Sequence, residues 1–289
     1  IVYPTQRVYA STEFQLREIS KKIALELYIT GPFNIQFLVK DNIPFVIEVN
    51  LRASRTFPFL SKAMDANLPE IAVDSFFGQA KVHNFIYPKS VLVKSPQFSF
   101  ARLLGADPIL RVEMSSTGEV ACFGRDYNEA LLKSILSINK FDFNKKNVLL
   151  SLGGSLNKAK FLEATQSLIY LGYNIFATDT TAEFFHNQNI DCISVRKAFE
   201  QSPNVLDIIE NKKIAFVVNL SKIENIDNLK KERNELKHSI TDGFRIRRAT
   251  VDNQIPLFTN LHLARAFIKS LVNYQIEDLE IKSYREYLN

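Results

Sequence analysis

Tryptophan is absent from this 289-residue chain, and cysteine occurs only twice, as Cys122 and Cys192. Two widely separated thiols offer neither a disulfide framework nor a closely spaced zinc pattern. They read as buried, reduced thiols of an intracellular protein. The four histidines, His83, His186, His238 and His262, share no metal-ligand spacing with each other or with the cysteines. No apolar run approaches the roughly 18 residues that span a bilayer, so no membrane partner is expected. The start at Ile1 shows neither a basic n-region nor an apolar h-region, as expected of a fragment that begins inside a domain. Neither a Gly-x-Ser-x-Gly elbow nor a Walker loop is found. The net charge of +5 is small, and the densest basic cluster (Lys230, Lys231, Arg233, Lys237) alternates with Glu232 and Glu235. That is the pattern of a solvated helix face, so nucleic acid is not the expected partner and small phosphate-bearing anions are. The 23 phenylalanines are expected to form core.

With 46% hydrophobic and 23% charged residues, the composition is that of a globular chain of one or two domains. Its most informative stretch is residues 31–55, which read as two alternating strands joined by a turn. Phe33, Ile35, Phe37 and Val39 share one face, and Phe45, Ile47 and Val49 match them on the second strand. A three-residue loop at Asp41, Asn42 and Ile43 places Gln36 opposite Glu48. The other face then gathers Asn34, Gln36, Glu48 and Asn50, followed by Arg52 and Arg55. Hard oxygen donors beside guanidinium forks suit Mg²⁺ bridged to nucleotide phosphates. An ordinary half-buried hairpin with a polar outer side is the alternative.

Upstream of the hairpin an amphipathic helix is expected over residues 11–30, and a helical patch follows at 61–77. Strand candidates at 91–94, 110–114 and 119–123 and a helix at 128–136 come next. Residues 139–147 look like a linker. From residue 148 short apolar strands (148–152, 174–177, 192–195, 214–220 and 256–259) alternate with helices, the pattern of a parallel sheet covered on both faces. Ligands of such sheets bind beyond the carboxyl ends of the strands. There the sequence places Gly153, Gly154, Ser155 and Lys158, and then Thr178, Asp179, Thr180 and Thr181. Exposed N–H groups at helix starts, with hydroxyls and the amines of Lys158 and Lys197, make an anion site. Plain helix capping by Ser, Thr and Asp is the alternative.

Several separated motifs carry a resemblance. The run 31–62 with Gln36, Glu48, Asn50, Arg52, Ser54 and Arg55 resembles the second ATP-grasp unit of the carbamoyl-phosphate synthetase large subunit. So do Lys94-Ser-Pro-Gln-Phe-Ser-Phe-Ala-Arg102, Asp107-Pro-Ile-Leu-Arg111 and Glu113-Met-Ser-Ser-Thr-Gly-Glu-Val120, in the same order. Ala177-Thr-Asp-Thr-Thr-Ala182, Val218-Asn-Leu-Ser221 and Arg245-Ile-Arg-Arg-Ala-Thr-Val-Asp252 resemble the methylglyoxal-synthase-like domain that ends those enzymes. The resemblance covers nearly the whole chain. It implies an α/β fold: the C-terminal part of an ATP-grasp unit (α+β, antiparallel sheet, residues 1–143) and a parallel-sheet allosteric domain (144–289).

The resemblance also implies an ATP-dependent ligase making carbamoyl phosphate from bicarbonate and ammonia or glutamine, for pyrimidine or arginine/urea synthesis. Gln36, Glu48 and Asn50 would hold Mg²⁺ or Mn²⁺, Asn34, Arg52 and Arg55 the nucleotide, and Arg52 and Arg55 the transferred phosphoryl group. Lys158, Thr178, Thr181, Lys197 and Asn219 would bind the effector. Across the family that effector is a pyrimidine or purine nucleotide, phosphoribosyl pyrophosphate, ornithine or N-acetylglutamate. The paired Lys158 and Lys197 favour a phosphate, whereas the ending Ser283-Tyr-Arg-Glu-Tyr287 looks closer to the acetylglutamate-dependent type. A glutaminase domain or subunit would be the protein partner, and an oligomer is compatible with the family. The compartment would be the cytoplasm, or the mitochondrion for the acetylglutamate-dependent type. The fragment by itself would be inactive. Residues 222–242 read as a surface insertion. The competing readings are a detached effector-binding module and a methylglyoxal-synthase-type lyase. Such a lyase carries His and Asp in the loop where this chain has Gly153 to Lys158.

Overall fold

The computed structural model describes residues 1–79, 89–103, 105–109, 116–211, 213–222 and 241–288. The expected strand at 110–114, most of the 222–242 insertion with its basic cluster, and His83 and His238 lie outside these residues. The chain divides into two compact units. One comprises residues 1–94, 121–130 and those from Glu280 onward, and the other comprises 95–120 and 131–279.

In the first unit, β1 (Val2–Tyr3) precedes α1 (Ala10–Glu26), which ends where Tyr28 turns to positive φ. The hairpin β2 (Asn34–Lys40) and β3 (Ile43–Asn50) follows. Its turn has two residues rather than three, because Asp41 (φ 51°) and Asn42 (φ 63°) both adopt the left-handed region and Lys40 pairs directly with Ile43. The extra residue sits instead in a bulge at Ile47. The ladder pairs Phe37 with Val46 but Gln36 with Glu48. The Gln36–Glu48 pairing therefore holds, while Phe45 moves to the face opposite the one expected, across from Leu38.

The helical patch at 61–77 is two helices, α2 (Phe57–Ala63) and α3 (Leu68–Phe76). The break comes from a start signal inside the apolar pattern. Asn67 caps α3 by accepting from the Glu70 N–H, Pro69 lies in its first turn, and Ser61 Oγ donates to the Ala66 carbonyl. β4 (Val91–Gln97) pairs antiparallel with β1, and β5 (Gly118–Gly124) completes a three-stranded sheet. Phe59, Ala63 and Leu92 form a small core with Tyr3, Leu60 and Phe123 packed on it. Helix α4 (Tyr127–Ile138) comes next.

The second unit holds the parallel sheet as expected. In chain order its elements are β6 (Asn147–Leu152), α5 (Ser155–Tyr170), β7 (Asn174–Thr178), α6 (Asp179–His186), β8 (Ile193–Val195), α7 (Val205–Glu210), β9 (Ile214–Leu220), α8 (Asp242–Asp252), β10 (Leu257–Phe258) and α9 (Leu261–Asn273). A last helix, α10 (Tyr284–Leu288), falls in the first unit. The sheet order is β10-β9-β6-β7-β8, with every pair parallel. Alternation along the strands divides the core. Leu149, Val195 and Val217 face Val205 and Ile209 of α7 and Ile246 of α8. Phe216 turns the other way and meets Phe258 and Phe267 edge-on, at centroid distances of 5.7 and 5.6 Å. The segment read as a linker joins this second layer, since Phe141 lies 5.1 Å from Phe267. Phe141 anchors this layer with Phe143 stacked on it at 5.7 Å, a role that the surrounding Asn, Asp and Lys conceal in the sequence.

Candidate functional sites

The first candidate site is the open end of the hairpin. Cross-strand partners share a face, so the pairs Asn34–Asn50 and Gln36–Glu48 put four oxygen-bearing side chains in one patch. Gln36 and Glu48 are exposed, and Asn34 and Asn50 are half-buried. Asn50 Nδ2 donates to Glu48 Oε1 at 2.9 Å, which orients the carboxylate. Arg52 and Arg55 are exposed in the loop that leaves β3. Arg52 donates to the Ala53 carbonyl at 3.2 Å, and the loop closes through Phe57 N–H to the Ser54 carbonyl.

The donor set is all oxygen with a single carboxylate. No group of three or more His, Cys, Asp or Glu side chains that could hold a metal occurs among the described residues. Such a set fits Mg²⁺ that keeps waters and shares phosphate oxygens, and does not fit an all-protein metal cage.

The second candidate site lies at the carboxyl ends of β6, β7 and β9. Strand order reverses between β6 and β9, the place where α/β sheets open a crevice. Here that crevice is filled by backbone. Gly153 N–H donates to the Leu220 carbonyl at 2.8 Å, and a Cβ on Gly153 would come within 2.6 Å of Lys222 N. Asn157, buried, donates to the carbonyls of both Gly153 and Ser221. The starts of α5 and α6 lie side by side at the carboxyl ends of β6 and β7. Gly154 (φ 78°) is the N-cap of α5, a conformation that disfavours any side chain.

Thr178 occupies the N-cap position of α6, but its side chain makes no capping bond; Oγ1 lies 3.3 Å from Thr181 Oγ1. Thr181 is fully buried, and its hydroxyl accepts the Leu152 N–H at 3.1 Å. Lys158 reaches from α5 to the Thr180 carbonyl. Burial pushes its amine below the usual lysine range, and the Glu183 carboxylate offsets part of that shift. Thr178, Thr181 and Lys158 are thus brought together.

Lys197 and Asn219 stand differently. Lys197 is exposed beyond β8, its backbone N–H bonded to Glu200. Asn219 is buried on β9, and its Oδ1 accepts from Arg247 at 2.8 Å. Arg247, also buried, forms a two-pronged pair with Asp107 at 2.7 and 2.6 Å. Its neighbour Arg248 holds the carbonyls of Phe100, Leu103 and Ala106 and pairs with Asp252. Sequence reasoning did not single out Asn157, Lys222 or Arg247. The Ile-Arg-Arg run carried a signal for Arg247, since a charge amid an apolar helical pattern needs a partner.

Residues 160–259 match the MGS-like domain family, and residues 6–95 match a family described as ATP-grasp in the biosynthetic pathway with Ter operon. Among curated relatives, the multifunctional protein pyr-3 of Neurospora crassa is 39% identical over 97% of this chain and 15% of its own length. The multifunctional protein CAD of Squalus acanthias is 38% identical over 94% of this chain and 12% of its own. The human mitochondrial carbamoyl-phosphate synthase (ammonia) is 33% identical over 99% of this chain and 19% of its own. The resemblance to carbamoyl-phosphate synthetases, with an ATP-grasp part followed by an MGS-like part, is thereby borne out across nearly the whole chain. The chain spans less than a fifth of the length of these relatives.

Proposed function

We propose that this chain is part of a carbamoyl-phosphate synthetase, an ATP-dependent ligase. In this reading residues 1–143 complete its carbamate-phosphorylating unit and residues 144–289 form its effector-binding domain. The observation that carries the reading is the bulged register of the hairpin, which sets Gln36 against Glu48 and Asn34 against Asn50. When bound there, Mg²⁺ or Mn²⁺ supplies charge neutralisation for the ATP phosphates. The protein's share is to place Glu48, Gln36 and Asn50 as oxygen donors and to hold Arg52 and Arg55 where charge grows on the transferred group. Asn50, by bonding Glu48, keeps the carboxylate turned to the metal side. Asn34 completes the nucleotide contacts.

In the same reading the ground between β6 and β7 is the effector pocket. Lys158 and Thr178 meet a phosphate or carboxylate at two helix starts, and Lys197 closes on it from the β8 side. Asn219 acts behind the pocket, through Arg247. The chain by itself does not turn over; its activity belongs to a longer protein that draws nitrogen from ammonia or from a glutaminase partner. The product feeds pyrimidine or arginine/urea synthesis, in the cytoplasm or the mitochondrion.

The test is to express the longer protein that contains this chain and assay carbamoyl phosphate formed from bicarbonate, ammonia and MgATP. Two ADP released per product supports the reading. Nucleotide hydrolysis without carbamoyl phosphate would refute it.

A further inference from the structure

Lys158 stands where a cation is disfavoured. It closes the first turn of α5, its N–H donating to the Gly154 carbonyl, and that turn holds no acidic residue. Its side chain crosses to the start of α6 and donates to the Thr180 carbonyl. Both helix starts carry the positive end of a dipole, which opposes an ammonium and favours an anion. Asp179, the acidic residue in the first turn of α6, is turned toward β8, where it accepts from the Ser194 hydroxyl at 3.0 Å. Glu183, further along α6, acts on the amine without a direct ion pair among the described residues. Lys222 adds charge of the same sign nearby, since a Cβ on Gly154 would come within 3.4 Å of its Cγ. Burial works in the same direction and lowers the pKa of the amine.

A neutral lysine amine is a nucleophile. Here one N–H is directed at the Thr180 carbonyl, so the nitrogen lone pair is turned away from that backbone. The same turn of α5 offers the N–H groups of Ser155, Leu156 and Asn157, which precede the first helical bond and lack a helical acceptor. Thr178 adds a hydroxyl that makes no capping bond. Such surroundings suit a ligand that is an anion at one end and an acyl electrophile at the other. Acyl phosphates are that class.

We propose that Lys158 is a site of acylation by acyl phosphates, and that the acyl group blocks the effector site around it. In the step, the Lys158 nitrogen bonds to the carbonyl carbon as the carbon–oxygen bond to phosphate breaks. The electron pair leaves with the phosphate, and one amine proton goes to it. The products are a neutral amide and inorganic phosphate. The side chain has then lost the charge that a phosphate-bearing effector meets. Carbamoyl phosphate, the product proposed above for the longer protein, is itself an acyl phosphate, so accumulated product closes the site to effector. The product link and the blocking rest on that proposed function; the acylation of Lys158 does not.

The test treats the 289-residue protein with acetyl phosphate or with carbamoyl phosphate in separate arms and follows acylation at each lysine by peptide mass spectrometry. Lys158 is expected to be acetylated about tenfold or more faster than the exposed Lys160, Lys213 and Lys269, because a docked electrophile reacts at raised effective concentration. Excess inorganic phosphate is expected to abolish that preference. Acetylation of Lys158 no faster than of the other three, or a preference that phosphate leaves untouched, would overturn the proposal. The carbamoyl phosphate arm is expected to show the same preference, and its absence there beside a selective acetyl phosphate arm would overturn the product link alone.

Blocking is read by calorimetry with uridine 5′-monophosphate as probe. Acetylated protein and Lys158→Gln, a neutral stand-in, are both expected to bind it about tenfold more weakly than wild type. Equal binding by all three would overturn the blocking. Failure of wild type to bind the probe would overturn the effector reading and the blocking with it, while the labelling rates decide the acylation by themselves.

Discussion

Replacing Thr181 by alanine is expected to destabilise the second unit markedly, although the residue lies in a loop-proximal position that invites a ligand-binding role. The hydroxyl is fully buried and is the acceptor for the Leu152 N–H at 3.1 Å, at the point where β6 runs past its last paired residue with β7. Alanine removes the acceptor and leaves a buried donor unmade, at a cost of about 1–3 kcal/mol. The lost methyl adds roughly 0.8 kcal/mol. A total of about 2–4 kcal/mol corresponds to a fall in melting temperature of roughly 5–12 °C for a unit of this size. Thr181→Ser keeps the oxygen and is expected to lose only about the methyl contribution. The assay is thermal unfolding of wild type and the two variants, followed by circular dichroism. Equal melting of Thr181→Ala and wild type would refute the assignment and return the hydroxyl to the pocket. In the proposed reading the pair expected from the sequence is divided, Thr178 being assigned to the ligand and Thr181 to the fold, and this comparison tests that division.

Thr178→Ala, which loses no capping bond, is expected to leave the melting temperature within about 1 kcal/mol equivalent. It should weaken binding of a phosphate-bearing effector by about tenfold or more in calorimetry. Because burial depresses the Lys158 amine, anion binding should decline as pH rises through a value below the ordinary lysine range, 10.5. Lys158→Arg should move that decline to higher pH in the same titration. Asp207 accepts from the Asn204 N–H and the Ser202 hydroxyl, which hold its carboxyl below its ordinary value of 3.8. Its stabilising contribution is therefore complete above that value and lost as pH falls through the depressed one, so Asp207→Asn should flatten the acid limb of a melting-temperature profile. Asp107→Asn should cost about 3 kcal/mol or somewhat less, because it leaves the buried Arg247 guanidinium short of its counter-charge while Asp107 itself is part-exposed. Denaturant unfolding measures it.

Much of this architecture is legible from residue periodicity. The five parallel strands are short apolar runs between helices, and the structure places all of them within a residue or two of the expected bounds. The Gln36–Glu48 pairing is also legible, but for a reason the pattern does not display. A two-residue turn combined with a bulge at Ile47 gives the same register from Glu48 onward as a three-residue turn, and only the placement of residues 43–47, Phe45 among them, distinguishes the two. Local chemistry overrode periodicity at 61–77, where the Asn67-Leu68-Pro69 start signal breaks one apolar pattern into two helices. The proposed effector site was the least legible part. Spacing along the chain brings Thr178, Thr181 and Lys158 to strand ends, but it cannot tell which hydroxyl the neighbouring strand claims. Nor can it foresee that Asn219 is held by an arginine paired with an aspartate 140 positions away.

The metal–nucleotide face of the hairpin is the central claim, and its most direct test is the back reaction in the longer protein that carries this chain. Carbamoyl phosphate and MgADP are supplied, and ATP formed is measured for wild type and Glu48→Gln. The substitution keeps the size of the side chain and removes the only carboxylate among the four facing residues. The account predicts a loss of ATP formation of roughly three orders of magnitude or more, with melting temperature unchanged. ATP formation at the wild-type rate by Glu48→Gln would contradict it.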